Sequence, residues 1–373
     1  MKILLVGEIY SENLGDAVIC ETVKRLIQQK VEAEIVDFDL SGRSDYNQYY
    51  SLRSLCKDKC HGYKGVIFSI ILRKLFYGSS VALKRSLRVM MKLNEYLFCN
   101  KFDVVLFAGG ALFQDYFAED IFNIANRCKK KCPKIVFHAC GLGKLSVHSK
   151  RLLKKVFSLD CVRHISVRDS YQKFISMFGN EHKVNDTFDT ALCCSEFYKK
   201  SNIKIAEYGI GCINWENTYH IQKGIIQIIM NSGATWKIFT NGAPYDEEIV
   251  DRLLNDLGIH DKKNKLVLPR AMDAESLVNN ITSFEKIISF RLHSHIIAAS
   301  FGIPSYGFAW DSKVREFFSK LDAPQRCKEL AEKIDYECLF EDVNKDLNDI
   351  EDIKKQADLS KKDLYRQLVG EMS

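Results

Sequence analysis

Apolar, β-branched runs recur along the first 200 residues, each followed by a glycine-rich or polar loop and then by a stretch with helical spacing. The runs at 2–6, 33–38, 103–108, 134–139, 164–167 and 183–184 read as strands. The gaps between them leave room for crossover helices, which predicts a parallel, doubly wound sheet. The rhythm restarts at 207–213, 235–240, 265–268, 286–290 and 305–308. Helices are expected between these at 220–230, 246–257, 274–281, 294–301 and 313–321. Residues 195–204, polar and without a clear period, form the seam. The pattern predicts an α/β protein with two Rossmann-like domains facing across a cleft, residues 1–200 and 201–373. A charged helical tail from Glu341 onward is expected to pack back across that seam.

Composition narrows the class. A chain of 373 residues with five prolines and no low-complexity tract is globular and too long for one ordinary domain. Met1-Lys2 runs straight into an apolar strand, so no secretory leader is expected, and no apolar run approaches a membrane span. Thirteen cysteines, an odd number, fit a reducing cytoplasm better than a disulfide framework. Cys56-x3-Cys60-His61 and Cys128-x3-Cys132 lack the usual zinc spacing and read as free thiols, so no metal site is expected. The net charge of +6 is uneven. Between residues 57 and 92 nine lysines and arginines face the single acid Asp58, interleaved with apolar groups. That segment suits an anionic membrane surface or lipid-linked phosphates, or else it is a helix with one core face and one solvated face. No nucleic-acid module accompanies it.

Ligands collect at the carboxyl ends of strands in an open parallel sheet, and the chemically interesting residues fall there. After the first strand come Asn13, Gly15 and Asp16, the aspartate placed to cap a helix. Gly109 and Gly110 follow the third strand and let backbone N–H groups approach a ligand. His138 ends the fourth strand, where a histidine reads first as structural. Arg168-Asp169 ends the fifth, either as a local ion pair or with the arginine's planar fork gripping an anion. If the strand at 286–290 continues through residue 293, Arg291 and His293 share one side. Ser294 then caps the next helix, beside an anion-friendly helix end, and Lys313 stands at the neighbouring junction. Burying such cations without an anionic partner would be costly, which favours a bound anion.

Asn13-Leu-Gly-Asp16, Gly109-Gly-Ala-Leu-Phe-Gln-Asp115, Ser166-Val-Arg-Asp169, Arg291-Leu-His-Ser294, Gly302-Ile-Pro304 and Asp311-Ser-Lys-Val314 together resemble the polysaccharide pyruvyl transferase family. The resemblance implies a GT-B-like pair of domains, the second on the donor side. It implies transfer of pyruvate from phosphoenolpyruvate onto a sugar diol of a capsule or exopolysaccharide precursor, giving a cyclic ketal. On this reading Arg168, Arg291 and His293 hold the donor and Lys313 assists. His293 is the general acid, and Asp16 or His138 is the base or orients the sugar. Asn13, Gly109, Gly110 and Ser294 line the substrate site. No cofactor is expected beyond the donor substrate. The acceptor is a glycan, with a lipid-linked form included, and the protein is expected in the cytoplasm at the inner face of the membrane. The rival reading is a GT-B glycosyltransferase using a nucleotide-sugar; a carbohydrate- or membrane-binding scaffold without chemistry is a third.

Overall fold

The computed structural model describes residues 1–46, 89–97, 100–132, 134–179, 184–330, 334–344 and 350–369. Most of the basic segment 57–92 lies outside the described residues, as do Cys56, Cys60, His61 and Lys183.

Six strands build the first sheet: β1 (Lys2–Gly7), β2 (Glu34–Asp39), β3 (Val104–Ala108), β4 (Lys134–Cys140), β5 (Val162–Val167) and β6 (Val184–Asp186). All pairings are parallel, in the order β2-β1-β3-β4-β5-β6. The run Val-Val-Leu-Phe-Ala of β3 is apolar at every position because helices cover both faces and all five residues are buried. Five strands build the second sheet: β7 (Ala206–Gly211), β8 (Trp236–Phe239), β9 (Phe284–Ser289), β10 (Ser305–Ala309) and β11 (Cys327–Glu329), in the order β11-β10-β9-β7-β8. Both sheets therefore run second, first, third, fourth, fifth. Each reverses direction beside its first strand, and a crevice opens there at the carboxyl edge.

Three stretches depart from the sequence pattern. Residues 265–268 do not form a strand. Lys263–Leu266 is a short helical turn of mostly polar residues, and Val267 makes only an isolated bridge to Ile238. The short edge strand β11 carries too little apolar signal to be read in advance. The strand expected to reach residue 293 stops at Ser289, with consequences for the site.

The two units share a hydrophobic core. The helix α1 (Leu14–Lys30) buries Ile19, Val23 and Leu26 together with Leu277, Ile281, Ile296 and Ile297 of the second unit. Separate cores lie on the outer side of each sheet. The charged tail splits in two. Tyr336–Asn344 sits on the second unit, with Leu339 and Val343 buried there. Ile350–Val369 returns to the first unit, where Tyr365 donates to the Leu26 carbonyl (3.1 Å) and Lys134 to the Leu368 carbonyl (3.1 Å). The division at residue 200 thus describes the two sheets, while this last helix belongs in space with the first. No described helix is long and apolar enough to cross a membrane.

Candidate active site

Backbone geometry at the end of β9 sets the direction of two side chains. After Ser289 the chain stays extended through Arg291 (φ −93°, ψ 122°), and the helix Leu292–Ser300 begins at once. Because the helix starts two residues earlier than expected, Arg291 and His293 do not share a side. Arg291 turns into its own unit and pairs with Asp246, with Tyr245 Oη 3.5 Å away. Asp246 is fully buried, and its other oxygen accepts from the Asn214 backbone N–H at 2.9 Å. Burial pushes the Asp246 carboxyl pKa up, although Arg291 opposes the shift. The Arg291 Nε is buried without a hydrogen-bond partner.

His293 points the other way, into the first unit. A Cβ on Gly15 would lie 2.1 Å from His293 Nδ1, so only glycine lets α1 and the imidazole meet. The ring's Nε2 faces Arg168 Nη1 at 3.3 Å, Asp16 Oδ1 at 3.9 Å and Asp189 Oδ2 at 4.0 Å. The arginine can only donate, so Nε2 accepts and the neutral ring carries its proton on Nδ1. Burial lowers the His293 pKa to about 4, with Asp16 opposing and Arg168, Lys313 and Arg291 adding to the shift. The imidazole is therefore neutral at pH 7.

Arg168 is the hub. It follows β5, is 6% exposed, and pairs with Asp189 through Nη1 and with Asp169 through Nε (3.4 Å). Burial alone would lower its pKa, but Asp189, Asp169 and Asp16 hold it above the ordinary value. The expectation that cations are buried here without anionic partners is thus corrected. This chain's own carboxylates serve both arginines, which is how a buried guanidinium is tolerated. The second unit fixes the Arg168 loop from outside. Lys320 Nζ donates to the Arg168 and Thr187 carbonyls (3.0 and 2.9 Å), and Glu316 accepts from Ser170 N–H (2.6 Å) and Oγ–H. Ser170 has φ 53°, and the grip of Glu316 helps hold that left-handed backbone.

The remaining expected residues divide. Asn13 Nδ2 donates to Asp16 Oδ2 (3.0 Å), while its Oδ1 is buried without a partner. Asp16 does not cap α1; it lies in the first turn, after Asn13. Gly109 and Gly110 have φ of 54° and 71°, and a Cβ on Gly110 would lie 3.1 Å from Asp16 Oδ1. Lys313 is partly exposed at the start of Ser312–Lys320, where Asp311 caps the helix by accepting from its backbone N–H at 3.1 Å. Ser294 does not cap its helix; its hydroxyl donates to Asn241 Oδ1 (2.9 Å). His138 lies apart from the cluster and is completely buried. Its Nδ1 meets Gln367 Oε1 and its Nε2 meets Thr190 Oγ1, both at 2.9 Å. With both nitrogens occupied under the last helix, it is placed as a structural residue. Cys128 and Cys132 are buried free thiols.

Asp189 and Asp246, partners of the two arginines, were missed in the sequence reading. Asp246 stood as a helix start, and Asp189 also caps the 3-10 segment Thr190–Glu196 by accepting from Ala191 N–H at 2.9 Å. The available signal was an arginine expected in a buried strand end, which demands a carboxylate somewhere in the chain.

The result is a closed cluster in which one guanidinium, one neutral imidazole and three aspartates meet between strand ends of two units. The family model described as polysaccharide pyruvyl transferase matches residues 13–312, a span that includes each of these groups. The chain belongs to the polysaccharide pyruvyl transferase family. For this pyruvyl transferase family member, solved structures of similar fold include UDP-GlcNAc 2-epimerases. One from Rickettsia bellii has a TM-score of 0.58 at 14% identity, over 99% of this chain and 95% of that one. One from Methanocaldococcus jannaschii has 0.55 at 13%, over 93% of each. One from Neisseria meningitidis, bound to UDP-GlcNAc, has 0.54 at 13%, over 98% of this chain and 100% of that one. At such identities they establish the GT-B-like fold of this family member and nothing about its substrate. No curated protein matches the chain.

Proposed function

We propose that the protein moves the pyruvyl group of phosphoenolpyruvate onto a sugar diol of a surface-polysaccharide precursor and closes it as a cyclic ketal. The observation that carries this reading is the meeting of Arg168 and His293, 125 residues apart, beside Asp16. A donor with a phosphate and a carboxylate on the same carbon calls for planar, bidentate cations. On binding, donor oxygens take the place of Asp189 and the imidazole on Arg168. Arg291, with its spare Nε–H, and Lys313 meet the second anionic group.

The added negative charge raises the His293 pKa, so the acid becomes protonated in the complex. Its Nε2–H delivers a proton to the methylene carbon, which becomes a methyl group. The neighbouring carbon turns electrophilic, and one sugar hydroxyl bonds to it and gives its proton to Asp16. The C–O bond to phosphate then breaks, and the second hydroxyl adds at the same carbon while its proton goes to the leaving phosphate. The products are the ketal and inorganic phosphate, and the proton held by Asp16 restores the acid. The acceptor is carried on a lipid at the inner face of the membrane.

The test incubates the protein with phosphoenolpyruvate and a panel of lipid-linked and synthetic glycans, reading pyruvyl addition by mass spectrometry. His293→Ala should fold and release no phosphate. Arg291→Ala should also release none, but at a stability cost of about 3 kcal/mol, because it leaves the buried Asp246 carboxylate unpaired. Near-normal turnover in both would refute the assignment. Thermal stabilisation by nucleoside diphosphates and not by phosphoenolpyruvate would support a nucleotide-sugar glycosyltransferase in its place.

A further inference from the structure

Residues 121–159 contain ten lysines and arginines and no aspartate or glutamate, in a chain whose net charge is only +6. Everything outside this stretch is therefore net negative. The stretch comprises the second half of the helix Asp115–Cys128, the strand β4 and the helix Val147–Phe157. β4 is interior to the sheet, so the charges fall mainly on the two helices and their ends. These helices connect adjacent parallel strands and pack side by side. Their apolar faces, with Phe117, Ile121, Ile124, Leu153 and Val156, fill the outer core of the first unit. What remains faces solvent: Lys129, Lys130 and Lys131 after the first helix, and Arg151, Lys154 and Lys155 on the second, are all exposed.

None of these six has a carboxylate partner among the described residues. Lys129 reaches only the Asn126 side chain, and Lys131 the Leu97 carbonyl. Some half-buried lysines elsewhere are paired, as Lys24 with Asp37 and Lys361 with Glu196. Cations clustered on one flank repel one another, and packing of the inner face does not require them. At the start of the same two helices stand Tyr116 and Val147, 53% and 65% exposed. Asp115 Oδ1 accepts from Ser146 N–H at 2.7 Å and holds those starts together. This corner lies at the carboxyl edge of the sheet, the edge that carries Gly109 and Gly110.

We propose that this flank docks on an anionic membrane surface, its lysines and arginines against lipid phosphates and Tyr116 and Val147 in the headgroup layer. Clusters of four to eight basic residues on helices are suited to such surfaces, each contributing about fivefold in binding. The inference deepens the functional reading by laying the two helices along the membrane, their starts at the carboxyl edge beside a lipid-carried glycan and their far ends held by Lys129–Lys131, Lys154 and Lys155. Adsorption itself does not depend on that reading. It differs from the basic segment 57–92 in residues and can be separated from it.

The experiment is co-sedimentation of the full chain with vesicles of 30% phosphatidylglycerol in phosphatidylcholine, with pure phosphatidylcholine as control, from 50 to 500 mM salt. Wild type should bind the anionic vesicles only, and more weakly as salt rises. Replacing three charges together, Lys129→Gln with Lys130→Gln and Lys131→Gln, or Arg151→Gln with Lys154→Gln and Lys155→Gln, should weaken binding on the order of 100-fold. Melting temperature and phosphate release with a water-soluble acceptor should stay unchanged. Equal binding to neutral vesicles, no binding by wild type, or unaltered binding by both triple variants would overturn the proposal. Tighter binding to duplex DNA than to vesicles would do so as well. Lost vesicle binding with intact transfer in the variants supports this inference, whereas wild type that binds vesicles but transfers no pyruvate defeats only the functional reading.

Discussion

Gly15→Ala is the sharpest perturbation of the site, because it adds one carbon and removes no functional group. Within α1, alanine is favoured over glycine by up to about 1 kcal/mol. Against that, the new Cβ would lie 2.1 Å from His293 Nδ1, 2.2 Å from its Cγ and 2.3 Å from its Cβ. Turning the imidazole cannot clear a clash that includes the histidine's own Cβ. The two helices must therefore separate by roughly 1 Å to regain ordinary contact, at the typical overpacking cost of about 1–3 kcal/mol. The net loss of stability should be small, about 0–2 kcal/mol, yet the imidazole is displaced from Arg168 and Asp16. Misplacement by about 1 Å can cost a reaction about 100-fold. The assay pairs urea unfolding with phosphate release from phosphoenolpyruvate in the presence of an accepted glycan. Gly179→Ala is the control, since nothing lies within 4 Å of its new Cβ and only the positive φ is strained. Wild-type turnover and stability in Gly15→Ala would show that the helix contact does not hold His293 in place.

Other outcomes follow from the same buried groups. Burial depresses His293 and His295 to about 4, so between pH 4 and 6.5 the unfolded chain binds more protons than the folded one. Stability should be complete above pH 6.5 and fall as the pH drops toward 4, by at most about 1.4 kcal/mol per unit per histidine. Denaturation curves between pH 4.5 and 7.5 should show a shallower slope in His293→Gln, and identical slopes would contradict the assignment. Asp246→Asn leaves the buried Arg291 without its carboxylate and should destabilise by about 3 kcal/mol, read as a shift in the urea midpoint. Lys313→Ala should raise KM for phosphoenolpyruvate while leaving kcat near its original value, because the lysine is partly exposed and steadies the bound anion. Gln367→Leu removes the acceptor for His138 and should cost about 1–3 kcal/mol, visible as a lower Tm with unchanged KM.

Much of the architecture was legible because a doubly wound sheet writes its strands as short apolar runs with glycines at their ends. Each strand was found except the three-residue β11, which lies at an edge and carries no apolar run. The run at 265–268 misled because only Val267 and Leu268 meet β8, in a single bridge, while Lys263–Leu266 is a helical turn. Within the site, Arg168, His293 and Asp16 were recognisable from their place at strand ends and helix starts. Their partners Asp189 and Asp246 were not, since nothing local marks a carboxylate as belonging to an arginine 21 or 45 residues away. His138 shows the converse limit. It lies within β4 near the carboxyl edge, as Arg168 lies just after β5, but the last helix closes over it, and only tertiary structure decides which residue near that edge stays within reach of the cleft.

The return of Ile350–Val369 to the first unit bears on the order in which the molecule can be made. The layer containing His138, Thr190 and Ser166 stays uncovered while the ribosome adds the next 170 or so residues, and the second sheet emerges into that interval. During vectorial synthesis the earlier half must therefore wait, incompletely sealed, for the later half to be finished. A nascent chain stalled before residue 350 should expose the polar pocket over β4 and β5 that Gln367 later covers, which makes it the intermediate on which a folding chaperone would act.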